Sequence, residues 1–317
     1  MRYSRRFWSR WQNWLAAFLV LSFTFVAIFA PLLSPNDPKR PGPFKIVGRY
    51  SEAEPQPPSE NAPLGTLPHQ LSVYHALVWG TRDAIRFGLL VAFSTACIGV
   101  LFGAVAGYAG GAVNRTMMRV TDAFLTFPII AGVVLLQQLW LNAVYTNGGA
   151  ITNLYGGSGP KAVSDSAIQV LLQHVDPLTI SLILLSWMPY ARLVNTLVIE
   201  LKKTEFIIAA HALGATPERI LFRHLLPNAI TPAIVLVARD VGSFVILQAT
   251  FTFIGLTGNS PWGFVLAAGR DWVIGPGGTI MTYWWTFLPA TLLVILFGIT
   301  WNLLGDGLSE VLDPHRD

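Results

Sequence analysis

Long apolar runs alternate with shorter polar segments along the chain, and six of the runs approach the length of a membrane span. A helix needs about 20 mostly apolar residues to cross the hydrocarbon core of a bilayer. The runs are Leu15–Leu33, Phe87–Ala109, Ala123–Val144, Leu178–Ile199, Ala229–Leu256 and Trp284–Leu304. An even number of spans places both termini on one side of the membrane. The pattern predicts an all-α membrane protein with six transmembrane helices.

The first run follows a basic start, as the apolar core of a secretory signal peptide does. Such a core spans only about 7 to 15 residues and ends at an A-x-A-like cleavage site. The run Leu15–Leu33 is longer, and its end, from Ala27 to Pro31, offers no such site. We interpret it as an uncleaved membrane anchor.

Composition supports membrane embedding and excludes several other classes of protein. The 317 residues are 53% hydrophobic and 12% charged, whereas a soluble domain carries about 25% charged residues. The net charge of +4 is not arranged as a basic stripe with interleaved aromatic residues, so no nucleic-acid partner is expected. The single cysteine, Cys97, lies in an apolar run. It excludes a disulfide framework and is predicted to be a small buried hydrophobic residue.

The placement of Lys and Arg predicts which loops are cytoplasmic, because cytoplasmic loops are enriched in both. The basic residues assigned to the cytoplasm precede the first span, separate the second from the third, or follow the fourth: Arg2, Arg5, Arg6, Arg10, Arg115, Arg119, Lys202, Lys203, Arg219 and Arg223. The segments after the third and fifth spans carry only Lys161 and Arg270. The loop after the first span is also basic, but long loops follow this rule poorly. We predict a multi-pass protein of the inner (plasma) membrane with both termini in the cytoplasm.

Two long outer loops follow from this topology. The loop at residues 34–83 contains nine prolines and is predicted to be an extended, water-exposed strap without helix. The Gly-rich loop Tyr145–Asp176 is predicted to be irregular, with a short helix near Ser166–His174. The predicted organisation is residues 1–83 for the N-terminus, first helix and outer loop, 84–310 for a five-helix transmembrane core, and 311–317 for a cytoplasmic tail.

Four glycines, Gly99, Gly103, Gly107 and Gly111, recur at every fourth position along the second span. Glycines at this spacing lie on one helix stripe and let another helix approach closely. We interpret the stripe as a helix-packing surface.

The cytoplasmic segment Glu205–Asn228 predicts a helix, a turn and a second helix, within a hairpin at residues 203–228. Gly214 can end the first helix in a left-handed conformation. Thr216 can cap the second helix, with Pro217 in its first position. Pro227 is predicted to close that helix.

The surface of this hairpin suggests a partner. Its first helix carries three alanines, Ala209, Ala210 and Ala212, which allow close approach, and four side chains are predicted apolar anchors for a groove: Phe206, Ile207, Leu221 and Phe222. Judged from the residues alone, docking on another protein and lying as an amphipathic hairpin on the inner leaflet are both open.

Two charges and an amide lie in the fifth span: Arg239, Asp240 and Gln248. Leaving a charge in lipid costs several kcal/mol. Adjacent helical residues point about 100° apart, so Arg239 and Asp240 need partners other than each other. Lining a translocation path and forming a salt bridge to another helix or subunit both satisfy this requirement. Arg192, near one end of the fourth span, is predicted to reach the membrane interface.

No catalytic constellation is visible in the sequence. The six histidines show no metal-ligand spacing and are interpreted as solvated or capping residues. The stretch from Gly156 to Lys161 lacks the G-x-x-x-x-G-K-[ST] pattern of a phosphate loop. There is no nucleophile elbow. We expect no enzyme activity, ATP site, metal or cofactor in this chain.

Several short motifs together resemble one family. The hairpin, with Ala209-Ala210, Gly214 and Leu226-Pro227 at the family's spacing, resembles the EAA loop of ABC importer permeases. The similarity continues through the motifs Phe29–Pro38, Gly107–Gly111, Arg119–Asp122, Phe127-Pro128, Arg223–Ala229, Phe253–Leu256, Pro261–Gly263, Leu304–Leu308 and Leu312–Pro314. Jointly these resemble the second, C-type permease of the dipeptide/oligopeptide/nickel family.

The resemblance implies a type I ABC importer permease fold and a set of roles. The residues implied to couple the chain to an ATPase are Ala209, Ala210, His211, Gly214, Ala215, Leu226 and Pro227. The implied partners are a second homologous permease, two subunits that bind ATP and Mg, an external solute-binding protein and the bilayer. The implied substrates are di- or oligopeptides, and Arg239, Asp240 and Gln248 become candidate pore residues. A stand-alone secondary transporter or channel for a small solute is the alternative.

Three departures from the family pattern stand out. Ile208 occupies the position of the leading glutamate of the EAA motif, which removes any polar contact of that glutamate. The family's Gly-Arg-Asp pattern after Pro63–Thr66 is replaced by Leu67–Ser72. Gln248 stands where the family has a glutamate.

Overall fold

The computed structural model of the protein describes residues 10–37, 41–145, 176–256, 258–274 and 281–312. The described part is mostly helical and forms two compact units. One unit comprises the described residues of Met1–Ala92 and Val235–Asp317, and the other those of Phe93–Ile234.

The elements follow in chain order. The first are α1 Trp11–Leu33, β1 Thr66–Leu67, β2 Leu71–Ser72, α2 Val73–Ala109, α3 Gly111–Leu125, α4 Ile129–Tyr145, α5 Pro177–Ser186 and α6 Met188–Leu201. They are followed by α7 Glu205–Ala212, α8 Pro217–Ile220, a π-helical turn Leu221–Leu225, α9 Leu226–Ala229, α10 Thr231–Phe253, α11 Pro261–Ile274 and α12 Leu288–Leu312. Short 3-10 turns lie at Pro68–Gln70 and Trp284–Thr286.

The helices long and apolar enough to cross a membrane agree with the predicted fold class. Five described spans qualify by themselves, and a sixth is reached if the bent pair α3 and α4 counts as one. The predicted third span, 123–144, is not one straight helix, because α3 and α4 meet at 89°. Pro128 lies at the break, and proline both lacks an amide donor and restricts the residue before it.

The proline-rich loop differs from its prediction at its end. Residues 73–83 belong to α2, which begins at Val73 because the Ser72 hydroxyl accepts a hydrogen bond from the His75 amide at 3.3 Å. The strap is not wholly exposed either. Thr66 and Leu67 are buried in β1, which pairs antiparallel with β2. The Trp285 indole nitrogen donates to the Thr66 carbonyl at 3.2 Å.

The unit that contains both ends of the described chain has an aromatic core. Phe23 of α1 packs edge-on against Phe297 of α12, with ring centres 5.1 Å apart. Trp262 of α11 is fully buried, packs against the same Phe297 ring, and donates to the Leu77 carbonyl at 3.1 Å. The helix α11 was not predicted. The sequence signal for the start of this helix was Ser260 followed by Pro261. The Ser260 hydroxyl accepts a hydrogen bond from the Gly263 amide and so caps the helix.

The other unit is held together by the glycine stripe of α2. A Cβ atom at Gly99, Gly103 or Gly107 would meet backbone or side-chain atoms of the segment from Trp187 to Val198. The packing prediction is therefore confirmed for these three glycines. Gly111 is not part of the stripe, because α2 has ended and Gly111 begins α3 with φ +54°. Cys97 is exposed on α2 and not buried as predicted.

Two predictions, the short helix in the second outer loop and the domain boundaries, are not tested by the described residues. The loop at residues 146–175, with its expected short helix near Ser166–His174, lies outside the described residues. The domain boundaries at residues 83 and 310 stay a prediction.

Candidate functional site

The turn of the hairpin has the geometry that its sequence predicts. Helix α7 ends at Ala212, Leu213 is its C-cap, and Gly214 follows with φ +78°. The Gly214 amide donates to the His211 carbonyl at 2.9 Å, and the Ala215 amide to the Ala210 carbonyl at 3.1 Å. These two bonds define a Schellman motif. A Cβ at Gly214 would meet nothing within 4 Å, so glycine is needed there for its backbone conformation alone.

The second half of the hairpin begins as predicted but does not end where predicted. The Thr216 hydroxyl accepts from the Arg219 amide at 3.4 Å, and Pro217 occupies the first turn. Pro227 does not close the helix, which continues to Ala229. The reason is the π-helical turn just before it, in which the Leu226 amide donates to the Leu221 carbonyl. This wider turn removes the usual clash of a proline ring with the preceding turn of helix.

Burial divides the apolar side chains of the hairpin into two groups. Ile207, Ile220 and Leu225 are almost fully buried, and Leu221 is 8% exposed. The exposed group comprises Phe206, Ile208, Leu213 and Phe222. Two predicted anchors, Ile207 and Leu221, therefore belong to the interior, while Ile208 and Leu213 were missed. Leu213 is 88% exposed at the tip.

The predicted coupling residues lie in two places. Ala209, Ala210, His211, Gly214 and Ala215 surround the turn, and none of them is buried. Leu226 and Pro227 lie at the far end of the second helical run, where α9 packs near α6. Their role in coupling stays a prediction. The arrangement offers an exposed, small-residue turn flanked by apolar side chains.

The base of the hairpin is anchored to a membrane span. The Lys202 ammonium donates to the Tyr108 carbonyl at 2.7 Å and lies 5.2 Å from the centre of the Tyr108 ring. Tyr108 is in the last turn of α2, where a cation is favoured by the helix dipole and by the unpaired carbonyls. Nearby, the Asn195 amide of α6 donates to Asn114 of α3 at 2.6 Å. The hairpin thus starts from a fixed point.

The polar residues of the fifth predicted span have partners that the sequence did not indicate. Arg239 of α10 forms an ion pair with Asp306 of α12 at 2.6 Å. Gln248 is 3% exposed, and its amide nitrogen donates to Asp83 of α2 at 3.2 Å. Asp240 is half-buried on the neighbouring face of α10. Asp306 belongs to the motif Leu304–Leu308, just beyond the predicted end of the last span, so an acidic residue at this end was the available signal.

Arg192 forms a second ion pair, and its expected position at the membrane interface stays a prediction. Its guanidinium lies 2.5 Å from Asp122, the last residue of the motif Arg119–Asp122. Asp122 is on α3 and Arg192 on α6, so the pair ties the bent helix to the fourth span. A paired charge costs less in a membrane than a lone one.

The known proteins that this chain resembles include components of membrane transport systems. The family described as binding-protein-dependent transport system inner membrane component matches residues 99–317. A dipeptide transport system permease protein of Alkalihalophilus pseudofirmus is 29% identical over 303 residues, 93% of this chain and 83% of that protein. An oligopeptide transport system permease protein of Bacillus subtilis is 26% identical over 315 residues, 98% of this chain and 87% of that protein. A solved inward-facing methionine ABC transporter matches with a TM-score of 0.50 and 20% identity over 75% of this chain and 96% of that chain.

The structure has the fold of a type I importer permease, with helices long and apolar enough to cross a membrane. The chain belongs to the family of binding-protein-dependent transport system inner membrane components. The family and the fold class predicted from the sequence motifs are both confirmed.

Proposed function

We propose that this chain forms half of the translocation pore of an ATP-driven importer of di- or oligopeptides. The relatives that match over more than nine-tenths of the chain include dipeptide and oligopeptide permeases, which supports the substrate class. The observation that carries the proposal is the hairpin from Glu205 to Ala229. It packs on its own core yet exposes four large apolar side chains, and such a patch indicates a surface for a partner.

The partners follow from the same proposal. A second homologous permease completes the pore, and two ATPase subunits bind ATP and Mg and dock on the hairpins. An external solute-binding protein delivers the peptide, which agrees with the family's description as binding-protein-dependent. The chain itself holds no ATP site in this proposal. Both termini and the hairpin face the cytoplasm of the inner membrane, a topology supported by Lys202, Lys203, Arg219 and Arg223 around the hairpin.

The proposed mechanism is alternating access driven from outside the chain. ATP binding closes the two ATPase subunits, the hairpin follows them, and the spans reorient around the pore. Three features support a stiff connection for this movement: the Schellman turn at Gly214, the burial of both Ile207 and Ile220, and the bond from Lys202 to the Tyr108 carbonyl. A rigid element transmits displacement because a packed core does not deform continuously.

The substitution Leu213→Asp tests whether the hairpin tip docks on an ATPase. Leu213 is 88% exposed, so water solvates the introduced carboxylate in the free chain. The carboxylate becomes unfavourable only when docking buries it in an apolar cleft of the ATPase. We expect the variant chain to insert and unfold like the wild type. Recovery of ATPase subunits with the tagged permease, purified from membranes that contain all partners, should fall about tenfold or more, as for a hot-spot residue.

The matched control is Tyr50→Asp, an exposed apolar residue of the proline-rich loop. It should leave ATPase recovery unchanged. Equal recovery with Leu213→Asp and wild type would contradict docking through the tip. Solute transport by this chain alone in liposomes would favour the stand-alone transporter.

A further inference from the structure

One face of the unit that contains α10, α11 and α12 carries charged and polar side chains at the end where Arg239 and Asp306 lie, and is more apolar toward its other end. On α10, Arg239, Ser243, Ile246 and Thr250 recur at intervals of three and four residues and are all exposed. Residues at this spacing lie on one helix face. The exposed stripe of α12 is Leu292, Ile295, Ile299, Asn302 and Asp306. Since Arg239 pairs with Asp306, the two stripes run side by side.

This polar face is unsuited to contact with lipid. The side chains of Arg239 and Asp306 are 45% and 63% exposed. Charged groups within a span face a water-filled path or another protein, because hydrocarbon cannot solvate them. The end of the face that carries Arg239 and Asp306 therefore lines the solute path or contacts the second permease subunit.

At the other end of the same face lies a cavity of about 340 Å3. Its walls come from three parts of this unit. They are Ile246, Ala249, Thr250 and Phe253 of α10; Leu266, Arg270 and Val273 of α11; and Phe287, just before α12, with Thr291 and Val294 of α12. The hydroxyls of Thr250 and Thr291 donate to the carbonyls four positions earlier in the chain, those of Ile246 and Phe287, at 2.7 and 3.0 Å. The walls thus present apolar surface to an occupant, and Arg270 is their only charged residue.

Arg270 is held at this cavity by two contacts. Its guanidinium carbon lies 5.5 Å from the centre of the Phe253 ring, and its Nε atom lies 3.1 Å from Asp271. Stacking on an aromatic ring restrains the planar guanidinium, whose paired nitrogens match a carboxylate. An apolar cavity with one such group at its wall fits a molecule with an apolar side chain beside a carboxylate.

We propose that this cavity is a subsite of the translocation path that binds the C-terminal residue of an apolar peptide, with the terminal carboxylate on Arg270. This inference rests on the proposed function, whose topology places the cavity at the outer end of the spans. The volume is at the small end of the range for ligand pockets, about 300–1,000 Å3. It therefore holds one terminal residue and not a whole oligopeptide.

The test measures access to the cavity in the assembled importer. Cys97 is the only cysteine of the chain, so Cys97→Ala gives a background into which Thr291→Cys is introduced. The complete complex in proteoliposomes, with its solute-binding protein and a non-hydrolysable ATP analogue, is treated from outside with a small membrane-impermeant thiol reagent. We expect Thr291→Cys to react, and an apolar dipeptide at ten times its half-saturating concentration to slow the reaction about tenfold by mass action.

The charge is tested by adding a second change to the same reporter. Arg270→Gln should abolish protection by the dipeptide, and Arg270→Lys should retain part of it because the positive charge remains. The control reporter is Tyr50→Cys, at a residue that is 61% exposed in the outer proline-rich loop, and peptide should not alter its reaction rate.

Each other outcome overturns the subsite. Reaction with a lipid-soluble reagent only would mean that the cavity faces lipid, and no reaction with either reagent would mean that the second permease covers it. Reaction without protection, or protection unchanged by Arg270→Gln, would also refute it. Peptide uptake by the Cys97→Ala complex is measured first: its absence would refute the proposed function, whereas uptake without protection refutes the subsite alone.

Discussion

At the residue scale, Gly214 is held by hydrogen bonds within its own turn and His75 by partners far away along the chain. Gly214 adopts the left-handed conformation that its position after a short helix predicts. His75, in contrast, was interpreted as solvated or capping, yet it is 1% exposed. Its Nδ1 atom lies 2.7 Å from the Ser34 hydroxyl and its Nε2 atom 3.0 Å from the Gly42 carbonyl. These partners lie more than 30 positions away, so spacing rules cannot reveal them.

His75→Ala is expected to loosen the proline-rich strap from the start of α2. The change removes two buried hydrogen bonds and leaves the Ser34 hydroxyl without its ring partner, which costs about 2–4 kcal/mol. Thermal unfolding of the purified chain in detergent should show a lower midpoint, and limited proteolysis should cleave the strap faster.

The control for this prediction is His69→Asn. His69 is exposed with φ +60°, and asparagine tolerates this conformation better than most residues. An equal effect of both substitutions would contradict a specific anchoring role of His75.

At the element scale, helix starts followed their capping residues, while breaks and extensions depended on context. Ser72 and Thr216 cap α2 and α8 through their hydroxyls. Pro128 lies at a break of 89° between two helices, whereas Pro227 is accommodated by a π-helical turn. A proline therefore marked a possible break in both places, and packing decided whether one formed.

Gly103→Val is expected to separate α2 from α6. A Cβ at Gly103 would overlap the carbonyl oxygen of Ala191, and a backbone atom cannot move aside as a side chain can. Overpacking of this kind costs about 1–3 kcal/mol or more. The measurement is the unfolding midpoint of the purified chain in detergent.

Leu101→Val is the matched control for the glycine. Leu101 is 50% exposed on the same helix, so a smaller side chain there should change the midpoint little. A midpoint for Gly103→Val equal to that of the wild type would show that the close approach is not needed.

At the scale of the whole molecule, charges that looked separate in the sequence meet in pairs. Arg239 meets Asp306, which follows it by 67 positions. This ion pair agrees with the hypothesis that Arg239 forms a salt bridge to another helix. Because both side chains are also partly exposed, the hypothesis that Arg239 lines the translocation path needs a separate test. Gln248 meets Asp83 from 165 positions away. The family's glutamate at position 248 would set two carboxylates against each other there, so the glutamine agrees with its partner.

Exchanging the charges of Arg239 and Asp306 separates structure from transport. Each single change to alanine should lower stability by about 1 kcal/mol or less, because the pair is half exposed. The double variant Arg239→Asp with Asp306→Arg should assemble with the partner subunits as the wild type does. Peptide uptake should stay low, since the charge at each position of the polar face is reversed. Uptake restored together with assembly would show that the pair serves structure alone.

The sequence by itself determined the membrane class, the positions of most spans and the local form of the hairpin. Span length, capping residues and turn glycines act within a few residues, and short-range physics suffices to place them. Tertiary structure decided which face each helix exposes, the bend at Pro128, and the partners of His75, Arg239 and Gln248. It also decided which hairpin side chains are buried, because burial depends on helices that meet only after the chain has folded.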